Sequence, residues 1–271
     1  MKVILLGTMI LLLAFSSCEE IPPTITPCQT DRVVLVEEFT GIDCVNCPIG
    51  AQKLKEISGQ NPGKMITVAI HAGYFAIDKD GFNLNCTDGE SLESQYLGPV
   101  TGYPAATVNR KLSTGESDIV TAQPKWAGLI SAELCERAIV SLDINSTFDA
   151  ATNEASITVN VSPSDFYLST VEEDVALTIM ITEDDVVGYQ KTPNGIDPNY
   201  VHKHILRDVV SLNYSGDLLY SKGTAMEATQ KVVSNYAVSS DWNPENCHVV
   251  AFVHYKGTKK EVLQAAESKL K

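Results

Sequence analysis

Apolar positions recur in different rhythms along this chain, and the changes of rhythm divide it. Met1-Lys2 is followed by an almost wholly apolar run from Val3 to Phe15, too short to span a membrane. Val33-Val34-Leu35-Val36 comes next. Three of these four apolar residues are β-branched, the mark of a strand buried on both faces. From Ile49 to Ile57 apolar residues fall at helical spacing, and Met65 to His71 reads as a second buried strand. A βαβ unit is therefore predicted, with its return turn at Gln60-Asn61-Pro62-Gly63. Residues Gly73 to Gly98 set Tyr74, Phe75, Phe82 and Tyr96 in a polar background, which predicts an insertion with a helix around Gly89 to Tyr96. A strand from Ala106 to Arg110 follows, its partner unplaced. An amphipathic helix over Ala122 to Arg137 then directs Trp126, Leu129, Ile130 and Leu134 inward.

Beyond that helix the period shortens to two. Ile139 to Phe148, Ala155 to Val161, Val175 to Thr182, Glu227 to Ser234 and His248 to Tyr255 alternate or run in β-rich blocks, separated by turns such as Asp149-Ala150-Ala151-Thr152-Asn153. Short strands without crossover helices predict an all-β sandwich, immunoglobulin-like in character. Val262 to Lys269 fits a strand or a helix equally well. The expected division is a leader over 1–17, a tether over 18–30, an α/β domain over 31–137 and the sandwich over 138–271.

Composition sharpens the picture in two places. A net charge of −14 and a pI near 4.7, with no basic cluster, argue against nucleic acid as a partner. Seven cysteines suit an oxidising compartment. The leader agrees: it has the charged start and short apolar centre of a secretory signal, and Ser16-Ser17-Cys18 resembles the lipobox of bacterial lipoproteins. Pro22, Pro23 and Pro27 then make a stiff tether.

The candidate chemistry sits where the first strand hands over to the first helix. Cys44-Val45-Asn46-Cys47 lies at a helix N-terminus, where unpaired amides and the helix dipole favour a thiolate. The residues allow thiol–disulfide exchange, an inert bridge, or a metal site needing two further ligands. Strand, acid-Phe, turn, Cys-x-x-Cys and helix together resemble the active-site segment of the thioredoxin superfamily. Glu38 and Phe39 match that family's acid and aromatic six and five residues before the first cysteine, and Val100 to Val108 resembles its cis-proline segment, with Pro104 at the proline. Glu-Glu-Phe-Thr-Gly and Cys-Val-Asn-Cys-Pro resemble more narrowly a group of outer-membrane lipoproteins of Gram-negative bacteria that join a thioredoxin-like domain to an immunoglobulin-like one.

That resemblance implies a lipid-anchored cell-envelope protein, in the outer membrane and facing the periplasm or the surface, with no cofactor. Cys44, nearer the surface, would attack a disulfide in an exported protein substrate. Cys47 would resolve the mixed disulfide, Glu38 beneath the pair would exchange a proton with Cys47, and Pro104 in cis would present backbone to the substrate. Asp43 departs from the family's aromatic and opposes a thiolate, and Val45-Asn46 lacks the residues of strong oxidants, so a reductase or isomerase is expected rather than an oxidase. The competing reading is a non-enzymatic adaptor that binds an envelope partner and whose Cys44–Cys47 bridge is structural.

The remaining cysteines, Cys28, Cys86, Cys135 and Cys247, are candidates for structural disulfides, and their three possible pairings are not ranked by sequence. One arrangement joins Cys135 to Cys247 across the domain boundary and Cys28 to Cys86 within the first domain. His202 and His204, two apart in Tyr200-Val201-His202-Lys203-His204, would share a strand face. With no third ligand placed, they read as hydrogen-bonded structural residues rather than a metal site. The mature protein is expected to begin at an acylated Cys18, which intact-mass measurement of the membrane fraction checks.

Overall fold

The central strand β1 (Val34–Thr40) is buried along its whole length, as its apolar run predicts. The computed structural model describes residues 30–164 and 170–271; the leader, most of the tether, Cys18 and Cys28 lie outside them. α1 (Cys47–Gln60) crosses over from β1 to β2 (Met65–His71), which pairs parallel with β1 from Val34↔Met65 to Thr40↔His71. Leu54 and Ile57 of α1 pack against Val34 and Val36. The insertion contains α2 (Thr87–Ser91) and a wider helical turn over Leu92–Leu97. β3 (Ala105–Val108) then runs antiparallel to β1 on its other edge, with β4 (Val120–Ala122) antiparallel to β3 and α3 (Trp126–Leu134) following. The helix predicted from Ala122 thus starts later, because Val120–Ala122 is recruited as the missing partner of β3.

The rest is almost entirely strand: β5 (Val140–Asp149), β6 (Glu154–Pro163), β7 (Val175–Glu183), β8 (Val186–Thr192), β9 (Gly195–His202), β10 (Ile205–Val209), β11 (Asp217–Tyr220), β12 (Thr229–Ala237), β13 (Cys247–Tyr255) and β14 (Val262–Lys269). The fold is mixed α/β with strands predominating. β14, ambiguous by pattern, is a strand because β13 offers it a full antiparallel ladder. β12, β6 and β5 form a three-stranded sheet whose inner residues, among them Ile157, Val159 and Val161, share one core with Leu177 and Ile179 of β7 and with Val249 and Val253 of β13. Among the described residues, β8 and β9 pair only with each other.

One sheet passes from the first half of the chain into the second, in the order β14-β13-β7-β10-β2-β1-β3-β4 with β11 on β7. The junction is β10, whose Ile205 pairs parallel with Ala69 of β2 while the strand runs antiparallel to β7. The sheet curls until β14 returns to the end of β3, where the Val262 amide donates to the Asn109 carbonyl at 2.8 Å. Inside the curl, Leu35, Phe39 and Ile70 pack in one cluster with Met180, Leu206, Phe252 and Val262.

A buried ion pair lies within the same curl. Arg110 donates through Nε to Glu37 Oε2 at 2.8 Å and through Nη2 to Oε1 at 2.5 Å, with both side chains fully buried. Its guanidinium stands 4.7 Å from the ring centroid of Phe252 on β13. Removing one partner strands a buried charge, so Arg110→Met is expected to cost about 3–5 kcal/mol, and Glu37→Leu with Arg110→Met markedly less than the two single changes together. Urea titrations of the four proteins check this. Because the pair and its cluster join the halves, fluorescence of the buried Trp126 and near-ultraviolet dichroism are expected to report one common transition.

Candidate functional site

Side chains alternate across an extended strand, so the adjacent acids of β1 face opposite ways. Glu37 enters the curl; Glu38 enters the side covered by α1. Glu38 is 2% exposed, and its Oε1 has no hydrogen-bond partner. Burial alone pushes its carboxyl up from 4.5 to about 8, so it is mostly protonated at neutral pH. The chain leaves β1 through Gly41 and Ile42, and Cys44 and Cys47 close a disulfide with their Cα atoms 5.4 Å apart, Cys47 being the first residue of α1. Gly50 is the point of closest approach. A Cβ there would stand 2.7 Å from Glu38 Oε1 and 2.8 Å from Cγ of Pro104, so the helix can rest on both only with glycine at this position. The Tyr103–Pro104 peptide is cis. Glu38 and Pro104 therefore meet at the first turn of α1, and Glu38 and Cys47 line one cavity.

Cys44 is not the exposed member of the pair: both cysteines are 2% exposed. The cause is the β8–β9 hairpin, which lies over the turn carrying Cys44. The Gln190 side-chain amide donates to the Cys44 carbonyl at 3.0 Å, and the Lys191 amide donates to the Ile42 carbonyl at 2.8 Å. The Lys191 ammonium stands 3.1 Å from Asp43, so the acid that opposes a thiolate in the sequence has its charge compensated in the fold. Gly188 of β8 abuts the Phe82 ring of the insertion so closely that a side chain there would overlap it. Sequence reasoning missed Tyr189, Gln190 and Lys191. A signal for the hairpin existed, since Pro193-Asn194-Gly195 between β-rich runs is a turn sequence. Nothing in that signal indicated where the hairpin docks.

His202 and His204 do not share a strand face. β9 ends at His202, which is 3% exposed and whose Nε2 lies 3.2 Å from the Tyr189 carbonyl; His204 follows with a left-handed φ of 56° and its amide donates to Asp184. His71, unremarked in the sequence, lies with its ring 5.6 Å from that of His202. Burial, with the neighbouring His202 adding to it, holds His71 down to about 3, and burial holds His202 down to about 4.

The expected bridges of Cys86 and Cys247 are not formed. Both carry free thiols, so neither the Cys135–Cys247 nor the Cys28–Cys86 pairing exists. Cys135 is disulfide-bonded, but not to Cys247. The reason is placement: Cys86 caps α2, its Sγ accepting from the Gly89 amide, while Cys247 is sealed within the core shared by β5, β6, β7 and β13. Burial pushes their thiols up to about 11 and about 12, leaving both unreactive as nucleophiles.

The model of the outer membrane protein family Omp28 matches residues 90–271, a stretch that begins after the cysteine pair. No curated protein matches the chain. Among solved structures, HBP35 of Porphyromonas gingivalis superposes with a TM-score of 0.63 at 16% identity, covering 90% of this chain and 76% of its own. A structural-genomics protein from Agrobacterium tumefaciens does so at 0.55 and 12% identity, covering 89% and 96%. A domain of the outer membrane lipoprotein Omp28 from Porphyromonas gingivalis gives 0.31 at 15% identity, over 49% and 88%. At such identities the first two show a shared fold and nothing more. No helix among the described residues is long and apolar enough to cross a membrane.

The buried titratable groups predict how stability depends on pH. Glu38 keeps its proton when folded over the range from 4.5 to about 8, where the unfolded chain releases it, so its contribution is lost as pH rises through that range. His71 and His202 act oppositely: their contribution is present above the ordinary histidine value of 6.5 and is lost as pH falls below it. Between 6.5 and about 8 only Glu38 of the three changes state. The native protein is expected to lose stability across that interval relative to Glu38→Gln, and below 6.5 to weaken less steeply than that variant down to 4.5, because Glu38 still gains as the histidines lose. Urea midpoints measured from pH 5 to pH 9 check the sign.

Proposed function

We propose that this chain, which belongs to the Omp28 outer membrane protein family, is an envelope protein that exchanges disulfides in exported proteins through Cys44 and Cys47. An acylated Cys18 holds it to the membrane. The observation that carries the reading is the gathering of Cys47, the protonated Glu38 and Pro104 around the first turn of α1. The division into a thioredoxin-like part over 31–137 and an immunoglobulin-like part over 138–271 belongs to the same proposal. It is supported by the β2-β1-β3-β4 order flanked by α1 and α3, and by the facing of β12-β6-β5 against β14-β13-β7.

In the reducing direction, the Cys44 thiolate attacks one sulfur of a substrate disulfide. A Cys44–substrate disulfide forms and the second substrate sulfur leaves as a thiolate, which takes up a proton. In the minor fraction of molecules whose Glu38 is ionised near neutral pH, Cys47 passes its proton to that carboxylate and attacks Cys44 Sγ, releasing the substrate's first sulfur as a thiolate and closing Cys44–Cys47. Two electrons have moved from the dithiol to the substrate, and an external dithiol must restore them. A carboxyl raised to about 8 is well matched to a thiol for such a transfer. Burial of Cys44 under Gln190 favours a second reading, in which the bridge is structural and the protein is a binding adaptor. Under the exchange reading the hairpin has to lift before a substrate can dock.

Gln190→Ala and Lys191→Ala remove two of the hairpin's attachments to the Cys44 turn. Each is expected to raise the rate of bridge reduction by dithiothreitol by about tenfold, the factor for a local opening made about 1.4 kcal/mol easier. Insulin reduction is expected to follow the same order, and a Cys47→Ser variant is expected to retain mixed disulfides with envelope proteins. A bridge that stays closed to glutathione and thioredoxin in the native protein and both hairpin variants, with no insulin turnover, refutes exchange and leaves the adaptor.

A further inference from the structure

The face of β1 and β2 that looks toward α1 changes character along its length. At one end Val34, Val36 and Met65 pack against Leu54, Ile57 and Trp126. At the other the same face presents Glu38, Thr40, Thr67, Ala69 and His71, all short or polar and all buried. Above them lies a cavity of about 960 Å³, roofed by α1 and walled by the end of β9 at Tyr200 and His202. That volume is at the upper end of what small-molecule sites enclose, roughly 300–1,000 Å³.

The floor of this cavity is incompletely satisfied. Buried polar atoms are ordinarily hydrogen-bonded, because an unmet one costs its full desolvation. Two atoms beneath the floor break the rule: Glu38 Oε1 and His71 Nδ1 have no partner and no accessible surface, on residues only 2% and 4% exposed, which leaves Glu38 Oε2 and His71 Nε2 as the polar atoms an occupant can meet. The flanking surface is otherwise predominantly apolar, contributed by Pro48, Ala51, Leu54 and Ala69. The charged side chains Lys55 and Lys203 are exposed and so stand at the rim rather than the floor, and Asp184 beside them is paired with Lys203. An ion placed at the floor would therefore be desolvated without a counter-charge, whereas a neutral group would meet a donor or acceptor on either side.

We infer that this cavity is a binding site for an uncharged, largely apolar small molecule whose single polar end hydrogen-bonds to Glu38 and His71. The inference goes beyond disulfide exchange and does not depend on it, although Cys47 forms part of the wall and an occupant would sit beside it. Burial that holds Glu38 protonated and His71 neutral is consistent with an uncharged occupant.

N-phenyl-1-naphthylamine, a neutral dye with an apolar body and one N–H group, is a suitable probe. It is titrated into the oxidised, full-length protein with no thiol present, so that the outcome is independent of exchange chemistry. Saturable one-to-one binding is expected, seen as a rise in dye fluorescence. Ala51→Trp, which projects a large side chain from α1 into the space, is expected to weaken binding by about tenfold or more, and His71→Phe by a smaller factor. Gln52→Trp, on the exposed side of the same turn at the cavity's mouth, serves if Ala51→Trp does not fold. Dichroism and thermal midpoints confirm the fold of each variant. Absence of saturable binding, or binding equal to the native protein's in the folded tryptophan variants, overturns the proposal.

Discussion

A strand buried on both faces that carries two consecutive carboxylates imposes the constraint from which the rest of this structure follows. Alternation sends Glu37 and Glu38 to opposite sides of β1, and neither reaches water. Each needs a different remedy for the cost of burying a charge. Glu37 receives a bidentate arginine. Arg110 reaches it from just beyond β3 and rests on Phe252 of β13, so neutralising one acid also brings the second half of the chain onto the first. Glu38 receives no cation and keeps its proton, which is why glycine and proline, rather than a basic side chain, stand against it.

These two solutions have separate consequences. The charged pair works as a structural fastener inside the curled sheet, where Leu35 and Phe39 share a cluster with Met180, Phe252 and Val262. The neutral acid lies beneath a cavity that Cys47 also lines, with one of its oxygens sealed and unpartnered. A second-half element then decides access. The β8–β9 hairpin reaches the cysteine turn, bonds its backbone through Gln190 and offsets the charge of Asp43 with Lys191. The pairing of Lys191 with Asp43 removes the electrostatic objection to a Cys44 thiolate and in the same act buries the sulfur, so electrostatics and accessibility pull in opposite directions.

The cysteines illustrate how counting differs from geometry. Four cysteines besides Cys18, Cys44 and Cys47 make an even number, and parity suggested two bridges. Cys86 instead serves as a cap for α2, and Cys247 fills space in the core between β6, β7 and β13. Cys247 is small, weakly polar and buried, which is the ordinary behaviour of a free cysteine in a core, and Cys86 is half-buried at the edge of another.

Local chemistry was enough to read the βαβ unit, the cysteine pair at the start of α1, the strands β5, β6, β7, β12 and β13 of the second half and the change of period near residue 138. In each of these, propensity, pattern and turn residues along a few neighbouring positions agree. The same local signals could not say that β10 would insert beside β2, that β4 would claim the first residues of a predicted helix, or that Val262–Lys269 would be a strand. Those outcomes depend on which backbone edge is vacant once the chain has folded. Glu38 was recognisable from its spacing to Cys44, but its raised pKa and unmet oxygen arise from α1, Pro104 and the cavity around it. Burial of Cys44 was beyond reach of the sequence for the same reason. Its cover comes from a residue 146 positions away, and no pattern within a strand or a helix records which distant surface it will meet.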